Sequence, residues 1–315
     1  MLRRLAVRVV IGLATAWAAA TLVFFGVEAL PGDAAQAALG HDARPALLAE
    51  VREEFGLDRP VLVRYRDWLF GFLHGDLGKS LPSGRPVTGV VGDKLRNTAW
   101  LAGVTIAILV PLGVGLGVAT AVRRDRLLDH AVSGSTLALI STPEFVVGTL
   151  LAVLLAVWLR WLPPVSLVDP ARSIVGQPRE LVLPVLTLLA ASMAQTIRMV
   201  RASMIDVLQS EYIEIARLKG VPERRVLFSH ALPNAFGPMF QVIAINIAWL
   251  TGGIVVVESV FQFPGLGSTL AQAVAARDLA TVEAITVVFA AIYIGVNLLA
   301  DVAVIVSNPR LRRAG

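Results

Sequence analysis

The chain has 315 residues, of which 56% are hydrophobic and 16% charged, with a formal net charge of +5. Its mean hydropathy is +0.72 and its pI about 10.2. Soluble domains carry about 45–50% apolar and about 25% charged residues, so the composition argues against a soluble enzyme. The chain has no Cys, which removes disulfides, thiolate metal sites, iron–sulfur clusters and a Cys nucleophile. Its four His residues, His41, His74, His130 and His230, are scattered and have no HExxH spacing. In so apolar a chain the basic excess reads as topology-setting arginine, not as a footprint for nucleic acid, and no nucleic-acid partner is expected.

Hydrocarbon accepts only internally bonded backbone, so long apolar runs define the organisation. Six runs predict six transmembrane helices, at 7–30, 98–122, 131–159, 181–197, 235–257 and 281–306. The first, 24 residues long, reaches about 36 Å as a helix, enough to cross a core of about 30 Å. It exceeds the usual apolar region of a cleaved signal peptide, and no small-x-small site stands clearly at its end, so it is expected to remain as a span. The fourth run is short for a span. Pro143-Glu144 predicts a kink or interfacial break in the third span, and Pro111 and Pro184 predict kinks in the second and fourth.

The arginines and lysines set the orientation. Segments 1–8, 123–130, 198–232 and 307–315 hold three, three, six and three of them, fifteen together. The short segments 159–180 and 260–280 on the other side hold four. Both termini are therefore expected in the cytoplasm. The expected fold class is an all-α polytopic membrane protein. It divides into the N-terminus and first helix (1–30), an exterior segment (31–97), a five-helix core (98–306) and a cytoplasmic tail (307–315). Within the exterior segment, Pro31-Gly32-Asp33 is a breaker. Residues 47–55 and 65–73 predict short helices, the second amphipathic, and 81–86 predicts a loop.

Catalytic motifs are missing. Gly78-Lys79-Ser80 resembles the end of a phosphate-binding loop, but that motif needs Gly where Leu73 stands. Gly113, Gly115 and Gly117 lie inside a predicted span, where small residues allow close helix packing instead of holding a dinucleotide. The chain is not expected to be an enzyme by itself. A membrane enzyme lacks its catalytic cluster. An ion-coupled secondary carrier would favour paired broken helices and mid-span charges.

The most informative stretch is 210–234, between the fourth and fifth spans. Residues 211–219 are helix formers, with Ile213, Ile215 and Ala216 expected on an apolar side and Glu211, Glu214, Arg217 and Lys219 on a polar one. Gly220 suits a left-handed C-terminal residue. Pro222 and Glu223 suit the first turn of a second helix. Leu232-Pro233 then leads into the fifth span. The pattern Glu214-Ile-Ala216-x-x-x-Gly220, with Leu232-Pro233 following, resembles the EAA loop of ABC-importer permeases. The family has Ala where Ile215 stands and Ile where His230 stands, and the form of His230–Asn234 is similar to the peptide/nickel branch. Gly56-Leu-Asp-Arg-Pro60, Gly75-Asp-Leu-Gly78 and Glu258-Ser-Val-Phe261-x-x-Pro-Gly-Leu-Gly267 resemble the first permease of dipeptide and oligopeptide importers. Leu30-Pro-Gly-Asp33 and Asn308-Pro-Arg-Leu-Arg312 do so as well.

The resemblance implies a permease of the bacterial inner membrane that moves dipeptides or short oligopeptides, with nickel or glutathione as alternatives inside the family. It implies three partners: a second homologous permease, ABC ATPase subunits and an extracytoplasmic substrate-binding protein. ATP and Mg would be bound by the ATPase, and no cofactor by this chain. The implied ATPase-coupling residues are Glu211, Glu214, Ala216, Arg217, Gly220, Pro222, Arg224, Arg225, Leu232 and Pro233. Among polar residues in the spans, Gln241 and Asn246 are candidates to line the pathway. Glu258 and Asp301, near helix ends, are expected to serve helix packing or to sit at the interface.

Overall fold

The computed structural model describes residues 2–29, 35–36, 44–169 and 174–307. Pro31-Gly32-Asp33 and the motif at 308–312 lie outside these residues. Among the described residues the structure is helical, and its β pairing is the isolated bridge Lys79–Pro86. The helices are α1 (Leu2–Glu28), α2 (Pro45–Glu54), α3 (Val61–Leu73), α4 (Val87–Val122), α5 (Leu127–Ile140), α6 (Glu144–Ala152), α7 (Pro178–Leu208), α8 (Glu211–Leu218), α9 (Glu223–Arg225), α10 (Leu232–Phe261), α11 (Leu266–Ala275) and α12 (Leu279–Ser307).

Five of these helices hold candidate spans: Val9–Glu28 in α1, the whole of α4 and α7, Met239–Phe261 in α10 and Leu279–Leu299 in α12. The third predicted span is not one straight helix. It divides into α5 and a second piece made of α6 and a π-helical turn, Val153–Trp158, and the two pieces are bent by 104°. The break falls at Pro143, whose extended ψ of 141° starts α6 and interrupts the ladder. Pro111 and Pro184 lie inside unbroken helices. The helices also outrun the apolar segments. α4 begins at Val87 and carries Asp93, Lys94, Arg96 and Asn97 before its apolar part. α7 continues through Arg198 and Arg201, so the fourth span is 31 residues long and not short. Charged side chains end a hydropathy run without ending a helix.

The chain forms two compact units. One contains residues 3–99 and 264–294. Its core gathers Val87, Val91, Leu266, Ala284 and Ile285. α3 lies against α1 through aromatic contacts of Phe24 with Tyr65 and Trp68, at 5.3 and 6.0 Å between ring centroids. The Tyr65 hydroxyl is 2.8 Å from Thr21 Oγ1, and Arg64 pairs with Glu28 at 2.8 Å. Gly78, with φ of +76°, turns the chain in the Gly78-Lys79-Ser80 stretch, and its N–H donates to Asp76 Oδ1 at 2.9 Å.

The other unit contains residues 100–263, together with the chain ends. Here α7 makes its most extensive contact with α10, around Leu188, Leu189, Ile254, Val257 and Phe261. α4 meets α7 at closest range through two glycines four residues apart on one face. A Cβ at Gly113 would lie 2.9 Å from Thr196 Cγ2, and one at Gly117 would lie 2.7 Å from Val200 Cβ. Gly115, on another face, meets nothing within 4 Å. Two of the three glycines therefore serve close packing. A third notch, Gly253 in α10, takes the Glu144 carboxylate, whose Oε2 stands 2.6 Å from where a Cβ would be.

This geometry separates two conservative changes. Gly117→Ala is expected to cost about 1–3 kcal/mol through overpacking. Gly115→Ala is expected to be neutral or to stabilise by up to about 1 kcal/mol from helix propensity. Thermal unfolding followed by size-exclusion chromatography measures both, and equal shifts would contradict the close approach at Gly117.

Candidate functional site

The stretch 210–234 folds as a short helix, a turn, and a second helix that does not stop. Ser210 takes an extended conformation, with φ of −71° and ψ of 147°, and its carbonyl accepts the first helical bonds from Ile213 and Glu214. α8 then runs for eight residues. It ends in a Schellman turn. The Gly220 N–H donates to the Arg217 carbonyl at 2.9 Å, and the Val221 N–H donates to the Ala216 carbonyl at 3.2 Å. Gly220 has φ of +75°, a region that a side chain makes costly. A Cβ there would meet nothing within 4 Å, so the constraint is conformational and not steric.

Pro222 flanks α9 as its N-cap and Glu223 is the first helical residue, one position later than the sequence pattern suggests. α9 passes through a π-helical turn, Val226–Ala231, into α10 with helical backbone throughout. The wide turn stands just before Leu232-Pro233. Pro233 cannot donate the N–H that would bond the Ser229 carbonyl, so a regular ladder is not available there. The second helix of the loop is therefore the start of the fifth span.

Burial divides α8 differently from the sequence reading. Ile213 is 0% exposed and sits in a core with Val200 and Met204 of α7, Val226 and Ala231 of the π-turn, and Ala235 of α10. Ala216 and Val221 pack around that core. Ile215 does not join them; it is 50% exposed. Two residues correspond to 200° around a helix, which puts Ile215 opposite Ile213. Tyr212 and Leu218 are exposed with it, Leu218 to 81%. The outward surface of α8 is thus an apolar patch beside Glu211, Glu214 and Lys219, all exposed.

The basic residues also divide. Arg217 donates to Glu223 at 2.8 Å and braces α8 against α9. Arg224 and Arg225 are exposed. Leu232 is half-buried and Pro233 exposed. An interaction not singled out from the sequence lies nearby. Arg201 of α7 makes a bidentate pair with Asp129 of α5, with both N···O distances 2.7 Å. Asp129 is buried and also accepts from the Asp125 N–H and the Ser133 hydroxyl. The two residues are 72 apart, and neither stands in a motif.

The candidate pathway residues do not share a surface. Gln241 is exposed on α10, near Ile245 and Trp249. Asn246 is buried and donates to the Val242 carbonyl at 2.9 Å. Five residues correspond to 140° around a helix, so the pair cannot lie on one narrow stripe. Glu258 is fully buried. The Asp301 side chain lies outside what the structure describes.

Residues 113–313 match the family described as the inner membrane component of binding-protein-dependent transport systems, and residues 1–102 match the N-terminal membrane-component family of the same systems. The chain belongs to this family. It is a multi-pass inner-membrane permease subunit of an ABC-type import system, and that membership implies ATPase and binding-protein partners. Similar permeases include a Brucella abortus (strain 2308) protein that carries a peptide transport system permease name, 36% identical over 293 residues and 93% of each chain. A glutathione transport system permease of Pectobacterium atrosepticum is 39% identical over 293 residues and 92% of each chain. A glutathione transport system permease of Salmonella typhi is 37% identical over 295 residues and 93% of each chain.

Substitution at the Schellman turn tests the site's construction in the permease. Gly220→Val places a β-branched residue at positive φ, with strain of about 1–3 kcal/mol. Gly220→Asn is expected to cost less, because Asn visits that region. Hydrogen exchange across 213–221 is expected to speed up in the Val variant and to stay near wild type in the Asn variant. Equal exchange in all three proteins would contradict the turn's role.

Proposed function

We propose that this permease moves dipeptides or short oligopeptides into the cytoplasm and takes its energy from ATPase subunits docked on 210–234. The observation that carries the coupling assignment is the two-sided α8, anchored inward by Ile213 and presenting Tyr212, Ile215 and Leu218 outward. Covering apolar side chains of this size contributes about 1.5–3 kcal/mol each when burial is complete. Glu211, Glu214, Lys219, Arg224 and Arg225 surround the patch, and charges at such a rim set orientation and on-rate more than affinity. Ala216, Gly220, Pro222 and the Arg217–Glu223 pair hold the shape of the loop. Leu232 and Pro233 join it to α10.

Transport needs inward-facing and outward-facing states, and ATP enters by binding them unequally. Closure of the ATPase would displace α8, and the helix running from α9 into α10 carries that displacement into the membrane. The chain itself is not catalytic; ATP and Mg belong to the ATPase. A second homologous permease completes the pathway, which Gln241 is positioned to line on the exposed face of α10. Both termini, and with them 210–234, face the cytoplasm on the charge distribution. The 31–97 segment faces the exterior, where a binding protein delivers substrate.

The peptide assignment draws on the names of the relatives in peptide and glutathione transport, and glutathione is itself a tripeptide. Vesicles containing the whole importer test both parts of the proposal. Dipeptide uptake is expected to be ATP-dependent and to exceed nickel uptake, and competition by glutathione measures how far a tripeptide shares the dipeptide's pathway. Glu214→Lys, which inverts charge at the docking surface, is expected to lower ATPase co-purification and uptake together while leaving the permease inserted. Wild-type co-purification and uptake in that variant would refute the coupling role of α8.

A further inference from the structure

A cavity of about 400 Å³ lies within the unit of residues 3–99 and 264–294. It opens between α1, α3, the Lys79–Leu81 turn and the start of α12, far in sequence from the coupling loop. Its walls combine apolar surface, including Phe24, Leu57 and Trp68, with four carboxylates and four cationic side chains. Its size falls at the small end of the range for ligand pockets, about 300–1,000 Å³.

The carboxylates differ in what they already hold. Glu28 accepts from Arg64 at 2.8 Å. Asp67 takes Arg59 at 3.6 Å and Arg66 at 2.8 Å. Asp278 accepts from the Leu81 N–H at 3.2 Å and from the Thr281 hydroxyl at 2.6 Å. Glu283 is the exception. It lines the same cavity, is 1% exposed, and its Oε1 has no hydrogen-bond partner among the described residues. A buried carboxylate oxygen left without a donor is costly, and native folds rarely keep one without a use.

The surroundings restrict the missing donor. A hard metal ion would need several free oxygen ligands, and the neighbouring carboxylates are engaged; among the described residues no acidic or His cluster is arranged to hold a metal. An anion would face Glu283 directly. An ammonium supplies several N–H donors and the compensating charge, and Phe24 and Trp68 add aromatic side chains to the wall beside it. The remaining apolar wall accepts a short carbon skeleton.

We propose that this cavity binds the primary ammonium group of a small organic molecule, with Glu283 Oε1 as its acceptor. The site goes beyond the coupling assignment and does not depend on it. In the orientation given by the charge distribution its walls come from the exterior end of α1, the exterior segment and the exterior end of α12, so it meets solutes outside the membrane.

The test uses the full chain in lipid nanodiscs, without ATPase or binding protein. Equilibrium dialysis compares radiolabelled alanine, dialanine and butylamine with their N-acetylated forms at millimolar concentration. At least one of the three amines is expected to bind, with its N-acetylated form weaker by about tenfold or more. Whichever amine binds best identifies the source as an amino acid, a peptide or a simple amine. Glu283→Gln is expected to remove the difference between the amine and its N-acetylated form. A second measurement covers the case in which this variant misfolds. Carbodiimide labelling of Glu283 in the wild-type chain, read by mass spectrometry, is expected to slow with the bound amine and not with its N-acetylated form. No binding by any amine, unchanged discrimination in Glu283→Gln, or labelling indifferent to the amine would overturn the proposal.

Discussion

Burial of Ile213 is the contact on which the architecture of the 210–234 loop depends. A helix of eight residues is too short to be stable alone, so α8 exists because tertiary packing holds it. Ile213 supplies that packing by entering a core built from α7, the π-turn and α10. Once it is seated, the period of the helix forces Tyr212, Ile215 and Leu218 outward. The same contact therefore both anchors the helix and creates its free apolar surface. The Schellman turn at Gly220 and the Arg217–Glu223 pair fix where the next helix begins. That next helix is continuous with the fifth span, so no flexible joint separates the loop from the membrane on that side.

On the other side the loop joins α7, which is the most constrained helix of its unit. α4 packs on it through Gly113 and Gly117, α10 packs on it along its length, and α5 is tied to it by Asp129 and Arg201. The apolar contacts and the ion pair do different work. Glycine notches bring helices close enough for dispersion to act where lipid offers no hydrophobic driving force. A partly buried, bidentate pair adds less net stability than it adds directional definition, since desolvation of Asp129 offsets much of its attraction. A displacement of α8 thus acts on a helix packed against α4, α5, α6 and α10, which favours motion of the group as a body over bending of one member.

Much of this was legible in the residues. The apolar runs located the spans because hydrocarbon leaves so few alternatives, and the Gly220 turn followed from the rarity of positive φ in other residues. The motif at 214–220 led to the permease family. Five features were hidden, each for a physical reason. Helix ends outran hydropathy because Asp93, Lys94, Arg198 and Arg201 change polarity without breaking a helix. The break at Pro143-Glu144 was legible from the proline, but its angle of 104° was not, because composition does not encode an angle. Ile215 looked like a partner of Ile213, but helical phase puts it on the opposite face. The Asp129–Arg201 pair joins residues too distant in sequence for any spacing rule. The unpartnered oxygen of Glu283 is likewise a property of packing; in the sequence it is one acidic residue near the end of an apolar run.

The central claim is that the outward face of α8 is covered by the ATPase. The chain has no Cys, so single thiols report on chosen positions without background. Ile215→Cys and Leu218→Cys, labelled with a water-soluble maleimide in the permease alone and in the assembled importer, measure that coverage directly. Both are expected to react readily in the permease alone and to be protected after assembly. Equal labelling of both positions before and after assembly would contradict the account.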